Sequence, residues 1–221
     1  MVTEYAALII GVILSMSVHE LAHGLMSYVF GDPTAKIQGR LTLNPLKHVD
    51  WMGLVCMLLF RFGWAKPVPI DSRYYKNKKM GIVWTSFAGP LANFILGFVC
   101  IFIYFLILKM GVYLSFLLTC LNVTAVLSIG FGIFNLLPIP PLDGSKILFA
   151  VLPDDLYYRS IQGNQIMLIV FIVLLYTGII TRPLILLRTE ILDIFVAISR
   201  MILGFKSKEM LFVLEGLCVQ F

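Results

Sequence analysis

Two long stretches without a charged side chain, residues 81–108 and 112–142, constrain this chain more than any other feature. A helix that crosses the hydrocarbon core of a bilayer needs about 20 mostly apolar residues, and both stretches are longer than that. Residues 5–30 and 161–181 are also long and apolar enough. The sequence therefore predicts four clear membrane spans.

The composition agrees with this interpretation. Hydrophobic residues make up 60% of the 221 residues and charged residues 13%, whereas a soluble domain carries about 25% charged residues. A soluble domain of this size could not bury so much apolar surface. A soluble enzyme and a nucleic-acid-binding domain are therefore excluded. We expect a lipid bilayer as partner and no nucleic acid, and the sequence does not indicate an oligomeric state.

Two further segments are less clear. Residues 183–205 carry Arg188, Glu190, Asp193 and Arg200, so they form either a fifth span with polar positions facing other helices or an interfacial, partly buried helix. We favour the second description. Residues 52–62 are too short to cross a bilayer alone, which predicts a re-entrant or interfacial piece.

The segment after the first span has a different pattern. Residues 35–43 alternate imperfectly around a central glycine, which predicts a short hairpin, and the two prolines in residues 63–70 exclude a helix there. The predicted fold class is therefore membrane all-α. It is a polytopic bundle of about five spans with a small membrane-associated β-hairpin or sheet after the first span.

Orientation follows from the basic residues in the loops. Residues 31–80 contain nine Lys and Arg, the N-terminal flank contains none, and the turn between the second and third spans contains Lys109 alone. The prediction is a multi-pass cell-membrane protein with its N-terminus outside. Residues 31–80 and 138–160 would then face the cytoplasm.

The first span contains the sequence His19-Glu20-Leu21-Ala22-His23, which is an H-E-x-x-H pattern. On a helix, positions i and i+4 share one face, so the two imidazoles can bind one Zn²⁺ while the glutamate reaches a bound water. Three ionisable residues inside a span need a strong compensating reason. Metal binding by His19 and His23, with Glu20 as catalytic base, supplies that reason.

A zinc site that keeps one position for water needs a third protein ligand. No glutamate lies between Glu20 and Glu190, so the candidates are Asp32, Asp50, Asp71, Asp143, Asp154, Asp155 and, as a rival, His48. Asp143 is favoured because three prolines break the apolar run just before it, and irregular backbone at membrane depth is tolerated around a cavity. The alternative is that Asp143 only caps the following helix.

Four segments together resemble the site-2 protease family of intramembrane zinc metallopeptidases, in particular small bacterial members without a PDZ domain. They are SVHELAHG (17–24), LNPLKHVD with GWAKPVPI (43–50, 63–70), FAGPLAN (87–93) and FNLLPIPPLDGSKIL (134–148). The resemblance implies that His19, His23 and Asp143 bind zinc and that Glu20 is the base. It implies one domain over 1–221, with a catalytic core at about 5–150 and C-terminal helices in 161–221.

The resemblance also makes Asn135 a polar residue near the substrate backbone. Asn93 is a lone amide in an uncharged span, and two interpretations remain open. It hydrogen-bonds at the active site, to the metal site or to the loop of Asn135, or it holds two helices together beside Gly89 and Ala92. Both asparagines are therefore predicted as substrate-binding candidates.

The predicted function is hydrolysis of peptide bonds in or near transmembrane segments of membrane proteins, with Zn²⁺ as cofactor. A transmembrane protein would be the substrate, and its unwound strand could add to residues 35–43 or 63–70. The alternatives are a metal-binding membrane transporter and an inactive protease-like scaffold. A transporter predicts further ligand sites along a path, and for these the sequence offers only His48.

Overall fold

The structure, a computed structural model, describes residues 2–60, 66–151, 173 and 177–205. In these residues the regular structure is helical, apart from a single-residue bridge at Val49. The helices are α1 (Val2–Val29), α2 (Thr34–Ile37), α3 (Trp51–Phe60), α4 (Lys78–Lys109), α5 (Ser115–Asn135), α6 (Asp143–Val151) and α7 (Thr181–Leu203). Two 3₁₀ turns, Pro45–Lys47 and Ser72–Tyr74, lie in the long connection between α2 and α4.

Three of these helices, α1, α4 and α5, are long and apolar enough to cross a membrane. They match the first three predicted spans. The fourth predicted span, residues 161–181, lies almost entirely outside the described residues. The structure thus supports a helical membrane protein with three candidate spans, and it does not confirm a count of five.

Helices α1, α4 and α5 pack against one another as a three-helix core. A Cβ added at Gly97 of α4 would lie only 2.6 Å from Cγ1 of Ile129 on α5. Small residues let helix backbones approach this closely inside a bilayer. Large apolar side chains such as Ile10 and Ile95 are exposed on the outside of the core, where lipid would cover them.

Local signals set the ends of the helices around the core. The Asn77 side chain accepts a hydrogen bond from the Met80 N–H at 3.1 Å and caps the start of α4. Helix α5 ends at Asn135, residues 136–142 are not helical, and α6 begins at Asp143. The predicted interruption of the third apolar run by its prolines is therefore confirmed.

The β-hairpin predicted for residues 35–43 is not found. Residues Thr34–Ile37 form the short helix α2 instead, started by Asp32, whose carboxylate accepts from the Thr34 N–H at 2.9 Å. Gly39 has a φ of +62°, and the bonds Gly39 N–H to Lys36 carbonyl and Arg40 N–H to Ala35 carbonyl close a Schellman motif. The central glycine therefore ends a helix and does not turn a hairpin.

The short apolar segment predicted for residues 52–62 is the ten-residue helix α3, which is too short to cross a bilayer. Asp50 caps it by accepting from the N–H groups of Met52 and Gly53, both at 3.0 Å. The described part of the proline-rich segment, residues 66–70, is not helical, as predicted. Residues 61–65 lie outside the described residues.

Helix α7 corresponds to the fifth apolar segment and packs against α4 and α5. The rings of Phe195 and Phe98 lie 5.3 Å apart, and Lys109 Nζ at the end of α4 donates to the Leu203 carbonyl at 2.6 Å. Val196 and Leu203 are buried, while most of α7 is exposed. This partial burial is compatible with both descriptions of the segment, a fifth span and an interfacial helix, and does not decide between them.

Candidate metal centre

His19 and His23 lie one turn apart on the inner face of α1, and both side chains are buried. Their Nε2 atoms are 2.9 Å apart. His23 is six residues from the last residue of α1, and a helix rises about 1.5 Å per residue. The pair therefore lies within about 15 Å of the end of α1 that leads into residues 31–80.

Asp143, the first residue of α6, completes the cluster. Its Oδ2 atom lies 3.2 Å from His19 Nε2 and 3.0 Å from His23 Nε2. The three atoms thus form a triangle with edges of 2.9–3.2 Å. Ligands at 2.0–2.1 Å from a tetrahedral zinc are about 3.3 Å apart. The donor types and their spacing both fit one face of such a site, with the fourth position left for water.

The second oxygen of Asp143 has a different partner. Lys146, one turn further along α6, donates from Nζ to Oδ1 at 2.9 Å. Burial alone would raise the pKa of Asp143, but its hydrogen bonds with the two histidines and the charge of Lys146 hold that pKa well below its usual range. The aspartate is therefore ionised, with Oδ2 directed to the histidines. Sequence reasoning missed Lys146, although the i, i+3 spacing is a usable signal.

The other nitrogen of each histidine is held by α4. His23 Nδ1 donates to the Thr85 carbonyl at 2.6 Å, which leaves Nε2 of the neutral ring free to bind a metal. His19 Nδ1 lies 3.1 Å from the amide nitrogen of Asn93, which is fully buried. Metal-binding histidines commonly have such a partner on the far nitrogen.

Gly89 brings the α4 backbone directly over the histidine pair. A Cβ placed there would lie 2.5 Å from His23 Nε2 and 2.7 Å from His19 Cε1. No side chain fits in that space. Gly89 therefore lets α4 approach α1 closely, at the face of α1 that carries the histidine pair.

Glu20 is partly exposed and lies outside the group of ligand atoms. Its Oε2 accepts a hydrogen bond of 2.7 Å from the Val68 N–H in the proline-rich segment. The sequence predicted the base but not this partner, because a backbone N–H has no signature in the sequence.

Asn135 is partly buried at the last residue of α5, and its amide nitrogen donates to the Phe131 carbonyl of the same helix at 3.0 Å. The structure places this side chain without testing its predicted contact with substrate. Asn93 is placed beside His19, and its backbone carbonyl also accepts from Ser128 of α5 at 2.9 Å. The side chain therefore contacts the metal-site histidine, whereas the bond to α5 is made by the backbone and does not depend on the amide.

Within the described residues, the cluster contains none of the other candidate ligands. His48 Nε2 contacts the Thr42 carbonyl at 2.7 Å, and Asp50 caps α3. Asp71 binds Arg73, and Asp32 is occupied by loop N–H and hydroxyl groups. Asp154 and Asp155 lie outside the described residues.

Long apolar helices that bury a His–His–Asp cluster define an intramembrane metalloprotein. The profile of peptidase family M50 matches residues 112–177. YwhC of Bacillus subtilis is 40% identical over 175 residues, covering 77% of this chain and 80% of the relative. Rip2 of Mycolicibacterium smegmatis is 30% identical over 197 residues, covering 80% and 70%. Both are named as candidate zinc metalloproteases.

The zinc metalloprotease MJ0392 of Methanocaldococcus jannaschii is 28% identical over 196 residues, 86% of this chain and 48% of the relative. No solved structure matches the chain with significance. The chain belongs to peptidase family M50, the site-2 protease family. It is an intramembrane zinc protease.

Proposed function

We propose that His19, His23 and Asp143 hold one zinc ion and that Glu20 is the catalytic base of a protease that cleaves transmembrane segments of other proteins. One observation carries the proposal. Two residues of α1 and one residue of α6, 120 positions further along the chain, bring three ligand atoms within about 3 Å of one another. Three buried ionisable groups at membrane depth are costly unless they share a charged ligand.

Bound zinc would supply a Lewis acid for the scissile carbonyl and lower the pKa of a bound water to about 7. Glu20, next to His19 in sequence and partly exposed, takes the proton of the attacking water and passes it to the leaving amine. Lys146 donates to Oδ1 of Asp143 and helps to keep the aspartate ionised, which leaves Oδ2 for the metal. Thr85 and Asn93 hold the histidine rings in place.

We further propose that the active site opens towards the cytoplasm. The cluster lies in the half of α1 that leads into residues 31–80, which contain nine basic residues. Water and an unwound substrate would enter from that side. The substrate has to unwind because a helix keeps its peptide bonds in internal hydrogen bonds.

A transporter or an inactive scaffold has less support. The described residues contain one group of metal-ligand side chains and no second group along a path. An inactive scaffold would not need the full set of ligands together with a base.

The test uses purified protein and a model transmembrane substrate, with Glu20→Gln and Asp143→Ala compared with the unchanged protein. We expect Glu20→Gln to keep one zinc per chain and lose cleavage, and Asp143→Ala to lose both. Cleavage that survives Glu20→Gln would refute the role of the base. Zinc that survives Asp143→Ala, together with activity, would refute the ligand set.

A further inference from the structure

A chain of buried hydroxyl groups connects the loop after α1 to the metal centre. The Ser27 hydroxyl lies 2.8 Å from Oδ2 of Asp32 and 2.8 Å from the Tyr75 hydroxyl. The Tyr75 hydroxyl lies 3.1 Å from Oγ1 of Thr85. Thr85 is the residue whose carbonyl accepts from His23 Nδ1. Ser27, Asp32, Tyr75 and Thr85 are all buried.

The aspartate at the far end fixes the direction of every proton in this chain. Besides Ser27, Asp32 accepts from the Asp71 N–H at 2.8 Å and from both the N–H and the hydroxyl of Thr34. Burial would raise the pKa of Asp32, but these hydrogen bonds, the one from the Asp71 N–H first among them, keep its pKa below the usual range. Asp32 is thus an ionised acceptor.

Each hydroxyl has a single proton to donate. Because Ser27 gives its proton to Asp32, the Tyr75 hydroxyl has to donate to Ser27 Oγ. The Tyr75 oxygen can then only accept, so the Thr85 hydroxyl donates to it. A threonine inside a helix commonly bonds to a carbonyl one turn earlier, whereas here the Thr85 hydroxyl reaches across to the loop.

The ring of Tyr75 is packed tightly, which keeps its hydroxyl directed to Ser27 and Thr85. A Cβ at Gly81 would collide with its ring, and the Phe30 ring lies 5.9 Å away. Its hydroxyl is the only atom between Ser27 on α1 and Thr85 on α4 in this network. The phenol thus links α1 to α4 one turn beyond His23.

We propose that Tyr75 is a positioning residue for the metal centre, acting through Thr85 to keep that residue's carbonyl on His23 Nδ1. This inference rests on the proposed role of His23 as a zinc ligand. Loss of a partner outside the ligand shell typically weakens metal binding about 10–100-fold. Tyr75 acts one residue further out, so we expect the lower end of this range.

The test measures zinc affinity by competition with a chelator for Tyr75→Phe and for a matched control, Tyr28→Phe. Tyr28 lies on α1, one residue after Ser27, but it is exposed and its hydroxyl contacts only Lys36 among the described residues. We expect Tyr75→Phe to bind zinc about 10-fold more weakly and Tyr28→Phe to bind as the unchanged protein does. The visible spectrum of the cobalt(II) form should change for Tyr75→Phe alone.

A third variant, Thr85→Val, removes the hydroxyl and keeps the carbonyl. If Tyr75 acts through that hydroxyl, Thr85→Val weakens zinc binding as well, and the double variant is no weaker than the single ones. If Tyr75→Phe fails to fold, Thr85→Val alone still tests whether the contact between the two hydroxyls supports zinc binding. Equal zinc affinities for Tyr75→Phe and Tyr28→Phe, or additive losses in the double variant, would overturn the inference. Absence of zinc from the unchanged protein would instead refute the proposed metal site.

Discussion

At the scale of single residues, the orientation of the Asn93 amide is linked to the protonation of His19 Nδ1. Its nitrogen is placed towards His19 Nδ1, and its oxygen is buried without a hydrogen-bond partner among the described residues. If His19 binds zinc through Nε2, its Nδ1 carries the ring proton and needs an acceptor. Rotating the amide by half a turn supplies that oxygen, because the two ends of an amide have nearly the same shape.

This argument predicts opposite results for two substitutions of Asn93. Asn93→Asp keeps an oxygen facing His19 Nδ1 and should retain zinc, as carboxylate–histidine–zinc arrangements do. Asn93→Leu offers no acceptor and should weaken zinc binding about 10–100-fold. Chelator competition on both purified variants measures the difference. Tighter binding by Asn93→Leu than by Asn93→Asp would show that the amide nitrogen faces the ring.

Asn135 leads to a prediction about turnover and not about metal. If it hydrogen-bonds the backbone of an unwound substrate, Asn135→Leu should lower turnover about 10²–10³-fold, by analogy with an oxyanion-hole donor. Zinc content should stay at one per chain because Asn135 is not in the ligand group. If turnover falls only in proportion to lost zinc or lost protein, Asn135 is structural and serves its own helix through Phe131.

Residues with a regular spacing were predictable, and residues that meet only in the folded protein were not. His19, Glu20 and His23 stand out because helical spacing places two candidate ligands together. The contacts of Tyr75 with Ser27 and Thr85 join residues 48 and 10 positions apart. No periodicity connects such positions, so their meeting depends on how the loop folds back over α1.

At the scale of elements, the close packing of α4 on α1 makes Gly89 irreplaceable. In Gly89→Ala, the new methyl group would lie 2.5 Å from His23 Nε2, so one helix or the histidine has to move. We expect loss of bound zinc and about 1–3 kcal/mol lower stability, as for other overpacked sites. Zinc analysis and thermal unfolding check both.

Gly130→Ala is the matched control for this substitution. Gly130 lies in the membrane helix α5, and a Cβ there would have Arg188 Cδ as its nearest neighbour, at 3.7 Å, which is an ordinary contact. It should keep zinc and stability. Zinc retention by Gly89→Ala at the level of this control would contradict the packing argument.

Hydrogen bonds from its backbone groups to other parts of the protein hold the segment of residues 66–70 in place. Lys66 N–H donates to the His48 carbonyl at 2.9 Å, and the Lys66 carbonyl accepts from Arg40 at 2.7 Å. Pro67 and Pro69 have no N–H, so Val68 supplies the one N–H between them, and it goes to Glu20. Residues 66–69 therefore have no free N–H to offer an added strand, and strand addition at these residues could use their carbonyls alone.

The Val68 N–H gives a test of how the base is held. Val68→Pro removes that N–H and leaves the Glu20 carboxylate without its charge-assisted hydrogen bond. We expect turnover to fall about 10–100-fold, as for a misplaced catalytic group, with zinc content unchanged. Val68→Ala keeps the N–H and should stay much closer to the unchanged protein. Equal turnover of the two variants would mean that the contact does not position Glu20.

Element types were predictable where one signal dominated. Uncharged runs gave α4 and α5, and prolines marked the break before Asp143. The prediction for residues 35–43 was wrong because glycine with positive φ occurs both in hairpin turns and at helix ends. The hydrogen bonds of Asp32 with Thr34 and those of Gly39 and Arg40 at the helix end decide for the helix.

At the scale of the whole molecule, the predicted orientation can be tested at the two ends of α4. Lys76 precedes this helix, Tyr113 follows it, and both side chains are exposed. If α4 spans the membrane with residues 31–80 inside, Tyr113→Cys should react with an impermeant thiol reagent added to intact cells and Lys76→Cys should not. The reverse pattern would place the active site on the outer side.

The class of protein followed from bulk properties of the sequence, but the way α6 meets α1 did not. The composition and the uncharged runs indicate a membrane protein because exposing so much apolar surface to water is unfavourable. The placement of Asp143 against His19 depends on the turn of residues 136–142. There Leu136 crowds Gly144, where a Cβ would collide with the Leu136 carbonyl. The hydrophobicity of the sequence does not predict the geometry of this turn.

The distance along the chain between the proposed ligands also sets the earliest point of synthesis at which the metal site can form. His23 and Asp143 are 120 residues apart, and a ribosome adds about 5–20 residues per second. For about 6–24 s the first histidines are already made while their aspartate is not. A nascent chain therefore cannot assemble this set of three side chains, or cut neighbouring proteins, until its first three long helices have been synthesised.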